Sequence, residues 1–226
     1  MCYICHNMIF HTTSFRWLCY TAVGLLAACR PPAAAQEPAL SAYFRPLPPT
    51  DTLHVEISTD DSLVGVDTIP SELFFKIVPA AVLEEIDYVA DFSQALVLGR
   101  QYFPLNDSIT AWWVEIRQFW FQHHLLLLYN KPKKAFTDRV MLAEWYGGDG
   151  GQILTGSWLF DFDGDGKKDI VRREIQHSLV PDGEEPQERI EQSASILLWK
   201  NGHFVAMPLP DTAAIIKRFP IRSFWP

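Results

Sequence analysis

The alternation of apolar and polar positions changes character near residue 95. From there the chain is a succession of runs rich in β-branched and aromatic residues: Ala95 to Arg100, Ile109 to Gln118, Phe119 to Tyr129, Arg139 to Tyr146, Gln152 to Phe160, Ile170 to His177, Ser195 to Trp199 and His203 to Pro208. Such runs, separated by turn residues, predict strands. The punctuation is Leu105-Asn106-Asp107, Asn130 to Lys133, Gly147 to Gly151, Pro181 to Pro186 and Asn201-Gly202. Asn-Gly between two apolar runs is a strong hairpin signal, because both turn residues tolerate positive φ. Neighbouring strands in such a series are expected to pair as an antiparallel meander. Ahead of them, Pro70 to Val78 and Pro79 to Asp87 each open on a proline and place Ser71, Glu72, Glu84 and Glu85 among apolar residues. That arrangement predicts two short helices. Val55-Glu56-Ile57 is a further candidate strand. The expected fold is mainly β: an antiparallel meander or sandwich-like sheet with one or two short N-terminal helices.

The first segment has a different logic. Residues 1 to 28 carry Arg16 and no acid, and Trp17 to Ala28 is apolar but too short to span a bilayer core, which takes about 20 residues. The run ends in Leu26-Ala27-Ala28-Cys29, which resembles the lipobox of bacterial lipoproteins. That resemblance implies a signal peptide over 1–28, a diacylated Cys29 holding the mature chain to a membrane, and a place in the cell envelope, facing the periplasm or in the outer membrane. All four cysteines, Cys2, Cys5, Cys19 and Cys29, fall within this segment or at its end, so the remaining domain has no thiol to pair. Cys2-Tyr3-Ile4-Cys5-His6 matches a haem attachment pattern but lies upstream of the export segment. Residues 29–50 are rich in Pro and Ala and read as a semi-rigid tether, leaving 51–226 as a single domain.

Composition narrows the partners. The chain as a whole is 48% hydrophobic with eight tryptophans, all but Trp17 in the domain, which gives it ample material for a core. Loss of Arg16 leaves 18 basic residues against 27 acidic ones, a net of −9, a sign that disfavours nucleic acid and anionic lipid surfaces.

The most specific chemistry lies in Asp161-Phe162-Asp163-Gly164-Asp165-Gly166-Lys167-Lys168-Asp169. Carboxylates at positions 1, 3, 5 and 9, with Gly at 6, are the spacing at which a short turn wraps oxygen ligands around Ca2+, the backbone carbonyl of Lys167 supplying another. Without a cation, carboxylates about 5 Å apart repel by roughly 3 kcal/mol per pair at an effective dielectric of about 20. Position 12 is Arg172, where an EF-hand needs a bidentate Glu, and the flanks Trp158-Leu159-Phe160 and Ile170-Val171 are strand-like. The loop therefore resembles the strand-loop-strand calcium turns of FG-GAP and VCBS repeats. That resemblance, over about a dozen residues, implies Ca2+ bound by Asp161, Asp163, Asp165, Lys167 and Asp169 in a β context. A domain of roughly 175 residues is too short for the blades of a propeller. Asp149, in the preceding glycine-rich turn, and Glu144, on the strand feeding it, are candidates to complete the ion's shell.

His123 and His124 are adjacent in a strand and so point to opposite faces, which suits core or cross-strand roles and not chelation of one metal. No nucleophile elbow, zinc-protease motif or phosphate-cradling loop is present in the sequence. The expectation is a non-catalytic, lipid-anchored binding domain stabilised by calcium, with a protein or glycan partner. A glycosidase-like pair of acids is the enzymatic alternative. The layout, a meander with an Asp-rich loop leading into a strand and a final hairpin, resembles periplasmic lipoproteins that inhibit lysozymes or confer immunity to peptidoglycan hydrolases. A structural accessory of an outer-membrane complex is the third reading.

Overall fold

The computed structural model describes residues 39–48, 52–57, 67–84, 94–119, 121–148, 150–181, 186–209 and 211–222. Cys29, the expected signal peptide and Asp149 lie outside them. The chain from Glu37 to Pro226 forms one compact unit.

Among the described residues eleven strands join one sheet: β1 (Arg45–Pro46), β2 (Leu53–Val55), β3 (Asp67–Ile69), β4 (Leu96–Pro104), β5 (Ile109–Gln118), β6 (Phe121–Asn130), β7 (Ala135–Gly148), β8 (Gly151–Phe160), β9 (Asp169–Val180), β10 (Gln187–Lys200) and β11 (His203–Met207). From β4 to β11 each strand pairs antiparallel with the next, so the expected meander is the observed one. Helices α1 (Ser71–Ile77) and α2 (Ala80–Leu83) begin just after the two prolines, the part of the second expected helix beyond Glu84 lying outside the described residues, and a third, α3 (Thr212–Arg218), follows the last strand.

The central strands β5 and β6 are apolar in succession because both their faces are covered. Trp112, Val114, Ile116, Leu125, Leu127 and Tyr129 pack under Leu40, Phe44, Phe74, Val78 and Leu83 from the N-terminal segment and the two helices. The alternate residues Ala111, Leu126 and Leu128 pack instead against Leu53, Leu159, Ile170 and Trp199. The later strands therefore return across the face of the earlier ones, and the single sheet behaves as a sandwich. Irregular register at Gly99/Gln101, His124/Leu125 and Leu128/Tyr129 marks bulges, which increase local twist and let a strand bend.

Of the tether expected over residues 29–50, the described part, 39–48, is folded onto the sheet, while 29–38 and 49–50 lie outside the described residues. Leu40, Phe44 and Leu47 are all buried, Arg45–Pro46 pairs parallel with β4, and Leu47 N–H donates to Tyr102 O at 2.8 Å. Pro-rich composition is misleading here because a two-residue edge strand needs few amide donors, which leaves room for proline. The turn at Ser41–Tyr43 also sits on Gly99, where an added Cβ would fall 2.1 Å from Tyr43 O.

On the outer side of β9 and β10, Val171 and Ile196 pack with Phe219 and Ile215 at α3. Arg173, only 1% exposed, ties that helix down by donating to Ile216 O at 2.6 Å and Phe219 O at 2.7 Å, and to Ser193 O at 3.0 Å. The first two are carbonyls at a helix C-terminus, which lack partners within the helix.

Candidate metal centre

The Asp-rich loop joins β8 to β9 and is held at both ends by the core. Phe160 and Trp158 lie before it, and Ile170 and Val171, both fully buried, follow it. Gly164 and Gly166 each adopt φ of 82°, and a Cβ added at either would meet no heavy atom within 4 Å, so conformation and not crowding demands glycine there.

Within the turn the carboxylates themselves organise the backbone. Asp161 accepts from Gly164 N at 2.8 Å and Gly166 N at 2.9 Å, Asp163 from Asp165 N at 3.2 Å, and Asp165 from Lys167 N at 3.0 Å. Asp169 differs from the others in being buried, 1% exposed. Its two oxygens accept from Phe162 N at 3.1 Å and Trp199 N at 2.8 Å, which fastens the loop to β10. Burial pushes its carboxyl above the ordinary range, against the pull of those amides.

Asp161, Asp163 and Asp169 each place an oxygen within 4.8 Å of the others. Oxygens around one Ca2+ at roughly 2.3–2.6 Å are separated by no more than about 5 Å, so these three fit a common ion. Asp165 is turned elsewhere: its Oδ2 lies 3.1 Å from Lys200 Nζ, which also donates to Asp163 Oδ2 at 2.6 Å. The Lys200 hydrogen bond, chiefly, holds the Asp165 carboxyl below its usual value, and the two carboxylates raise Lys200 in turn. Lys167 enters the turn through its amide, and its Nζ stands 3.9 Å from Asp165.

Glu144 does not belong to this centre. It pairs in register with Thr155, five residues from the loop end of β8, a separation of roughly 16 Å along a strand. Its carboxyl, raised mainly by burial, faces Thr155 Oγ1 at 3.5 Å and His123 at 3.9 Å. The turn containing Asp149 joins β7 to β8, so its described flanks Gly148 and Gly151 lie at the other end of β8. Successive hairpin turns in a meander alternate between the two ends of the sheet. A cavity of about 200 Å³ there is lined by Gly147, Gly151, Gln152, Gln176 and His177.

A polar cluster with no signal in the local sequence sits on β4, β5 and β6. Glu115, fully buried, receives Arg100 Nε at 2.9 Å and a close contact from Arg117 Nε. Burial acts to raise its carboxyl, but His124 and the two arginines more than offset this, and it stays below the usual range. His124 accepts from Trp113 Nε1 at 3.1 Å through Nδ1, which requires that nitrogen to be unprotonated, and burial lowers its pKa to about 4. His123, the neighbour that faces Glu144 in place of Glu115, is also brought down to about 4, mainly by burial. Both are structural residues of the sheet.

Comparison with family models, with curated proteins and with solved structures found no match to this chain.

Proposed function

We propose that this protein is a lipid-anchored binding module of the bacterial envelope whose β-rich domain is stabilised by Ca2+ in the loop from Asp161 to Asp169. The observation that carries the calcium reading is the convergence of Asp161, Asp163 and Asp169 within 4.8 Å on a turn between two core strands. Oxygen-only donors of this kind suit a hard cation. Asp161 and Asp163 are exposed and open to solution, whereas Asp169 anchors the set to β10.

The envelope part of the proposal rests on Leu26 to Cys29. Two acyl chains give stable anchoring where one does not. A binding role is preferred to a catalytic one because the buried carboxylates are engaged in holding strands together, Glu115 by two arginines and Asp169 by two amides. Among the described residues no helix is long and apolar enough to cross a membrane.

Isothermal titration of the chelator-treated domain with CaCl2 tests the metal reading. One site with Kd of about 10⁻⁴ to 10⁻³ M is expected, in the range of extracellular calcium modules. Absence of heat in wild type, or an unchanged isotherm in Asp161→Ala, would count against it.

A further inference from the structure

Lys200 is the last residue of β10, immediately before the Asn201-Gly202 turn. The turn from β10 to β11 and the loop from β8 to β9 fall at the same end of the sheet, because two hairpin reversals separate them. The register Ile170↔Leu197 puts Lys200 three residues past the last β9–β10 pair, level with the Asp-rich loop. Its ammonium reaches back to Asp163 Oδ2 at 2.6 Å and Asp165 Oδ2 at 3.1 Å. A cationic group from 35 residues away in sequence is thus seated on two of the carboxylates that the loop spacing offers to an ion.

We propose that Lys200 is the loop's own counter-cation, which closes the turn when no divalent ion is bound and competes with Ca2+ for Asp163 and Asp165. This rests on the calcium reading above. Four acids in nine residues repel one another, and an ammonium between two of them relieves that repulsion without a metal. Asp163 is shared by both arrangements: it belongs to the triad with Asp161 and Asp169 and it also holds Lys200. An ion drawing on Asp163 and Asp165 must therefore displace the ammonium or be weakened by it. Lysine suits such a role because its charge is a point on a flexible stem, free to swing away while the backbone of β10 stays in register. The side chain is 41% exposed, so the displaced ammonium has water to enter.

The consequence is a calcium affinity set below what the acid count alone allows, and a loop that keeps its shape in both states. The test is calcium titration and melting of Lys200→Gln and Lys200→Arg in the otherwise intact domain. Arg189→Gln, which removes the same charge at the far end of the β9–β10 hairpin, is the control. With Lys200→Gln the Kd for Ca2+ is expected to fall about two- to fivefold, the scale of an exposed ion pair, and the melting midpoint in chelator to drop below wild type. Lys200→Arg and Arg189→Gln are expected to bind calcium as wild type does. An unchanged or higher Kd in Lys200→Gln overturns the competition while leaving the calcium site standing. A wild type that does not bind calcium at all overturns both readings.

Discussion

Buried charge decides the behaviour of single residues here. Arg173 is the clearest case, since its guanidinium satisfies Ile216 O, Phe219 O and Ser193 O at once. Arg173→Met keeps much of the volume but strips three carbonyls of their donor, and is expected to lower unfolding free energy in urea by roughly 2–4 kcal/mol. Arg173→Lys should recover only part of this, because one ammonium cannot reproduce the fork. His124 supplies a pH dependence. Its folded pKa is about 4 against 6.5 for the free side chain, so the unfolded chain binds the extra proton between those values. Stability is therefore fully present above pH 6.5 and is lost as pH falls toward 4, by about 2 kcal/mol for this histidine between pH 7 and 5. His123, lowered to about 4 as well, adds in the same direction. Urea melts at pH 7 and pH 5 should show the loss, and His124→Gln should reduce it by about half. The Asp residues of the loop are legible in the sequence because they all lie within one short turn. The cluster of Glu115, Arg100 and Arg117 is not, since only the pairing of β4 with β5 brings Arg100 beside Glu115.

At the scale of elements, strands with a buried face are legible and strands without one are not. The runs at Ile109 to Gln118 and Gln152 to Phe160 are the observed β5 and most of β8. By contrast β10 begins at Gln187 and not Ser195, because Gln187 to Ser193 is exposed throughout and shows no apolar alternation. Hydrogen bonding to β9, from Gln187↔Val180 onward, makes it a strand all the same. Phe119, a strand residue by its composition, is a turn residue at φ 55° and 73% exposed; an aromatic side chain gives no warning of a positive φ. The two- and three-residue strands β1 and β3 are shorter than any period, and only their partner β4 defines them. In the loop, glycine carries the geometry. Gly164→Ala or Gly166→Ala forces an L side chain to φ 82° and is expected to cost about 1–2 kcal/mol. The cost should appear in calcium and in chelator alike, read as a lower midpoint by circular dichroism.

Among the described residues the sheet depends on the segments that precede and follow it, 39–48 and 211–222, being folded onto it. Leu40, Phe44 and Leu47 lie where composition suggests a tether, and Phe44 meets the ring of Trp112 edge-on at 4.9 Å. At the other end Phe219 packs on Val171 and Ile196, held there by Arg173. Anchoring belongs to the same scale. Cys29→Ala is expected to shift the protein from the membrane to the soluble fraction or to leave an unprocessed precursor, and unaltered fractionation would contradict the lipid anchor. The loop from Asp161 to Asp169 joins β8 to β9, and β9 pairs along its other edge with β10, so fixing the loop fixes the register of all three strands. If Ca2+ binds as proposed, with Kd between about 10⁻⁴ and 10⁻³ M, ~1 mM free Ca2+ is expected to add roughly 0.4–1.4 kcal/mol to stability. In a domain of this size that is a rise of about 1–5 °C in melting midpoint. The decisive measurement is the melting midpoint in millimolar Ca2+ against excess chelator, for wild type and Asp161→Ala side by side. A rise in wild type and its loss in the variant are expected; equal midpoints in wild type, or a rise that survives Asp161→Ala, would contradict calcium binding at this loop.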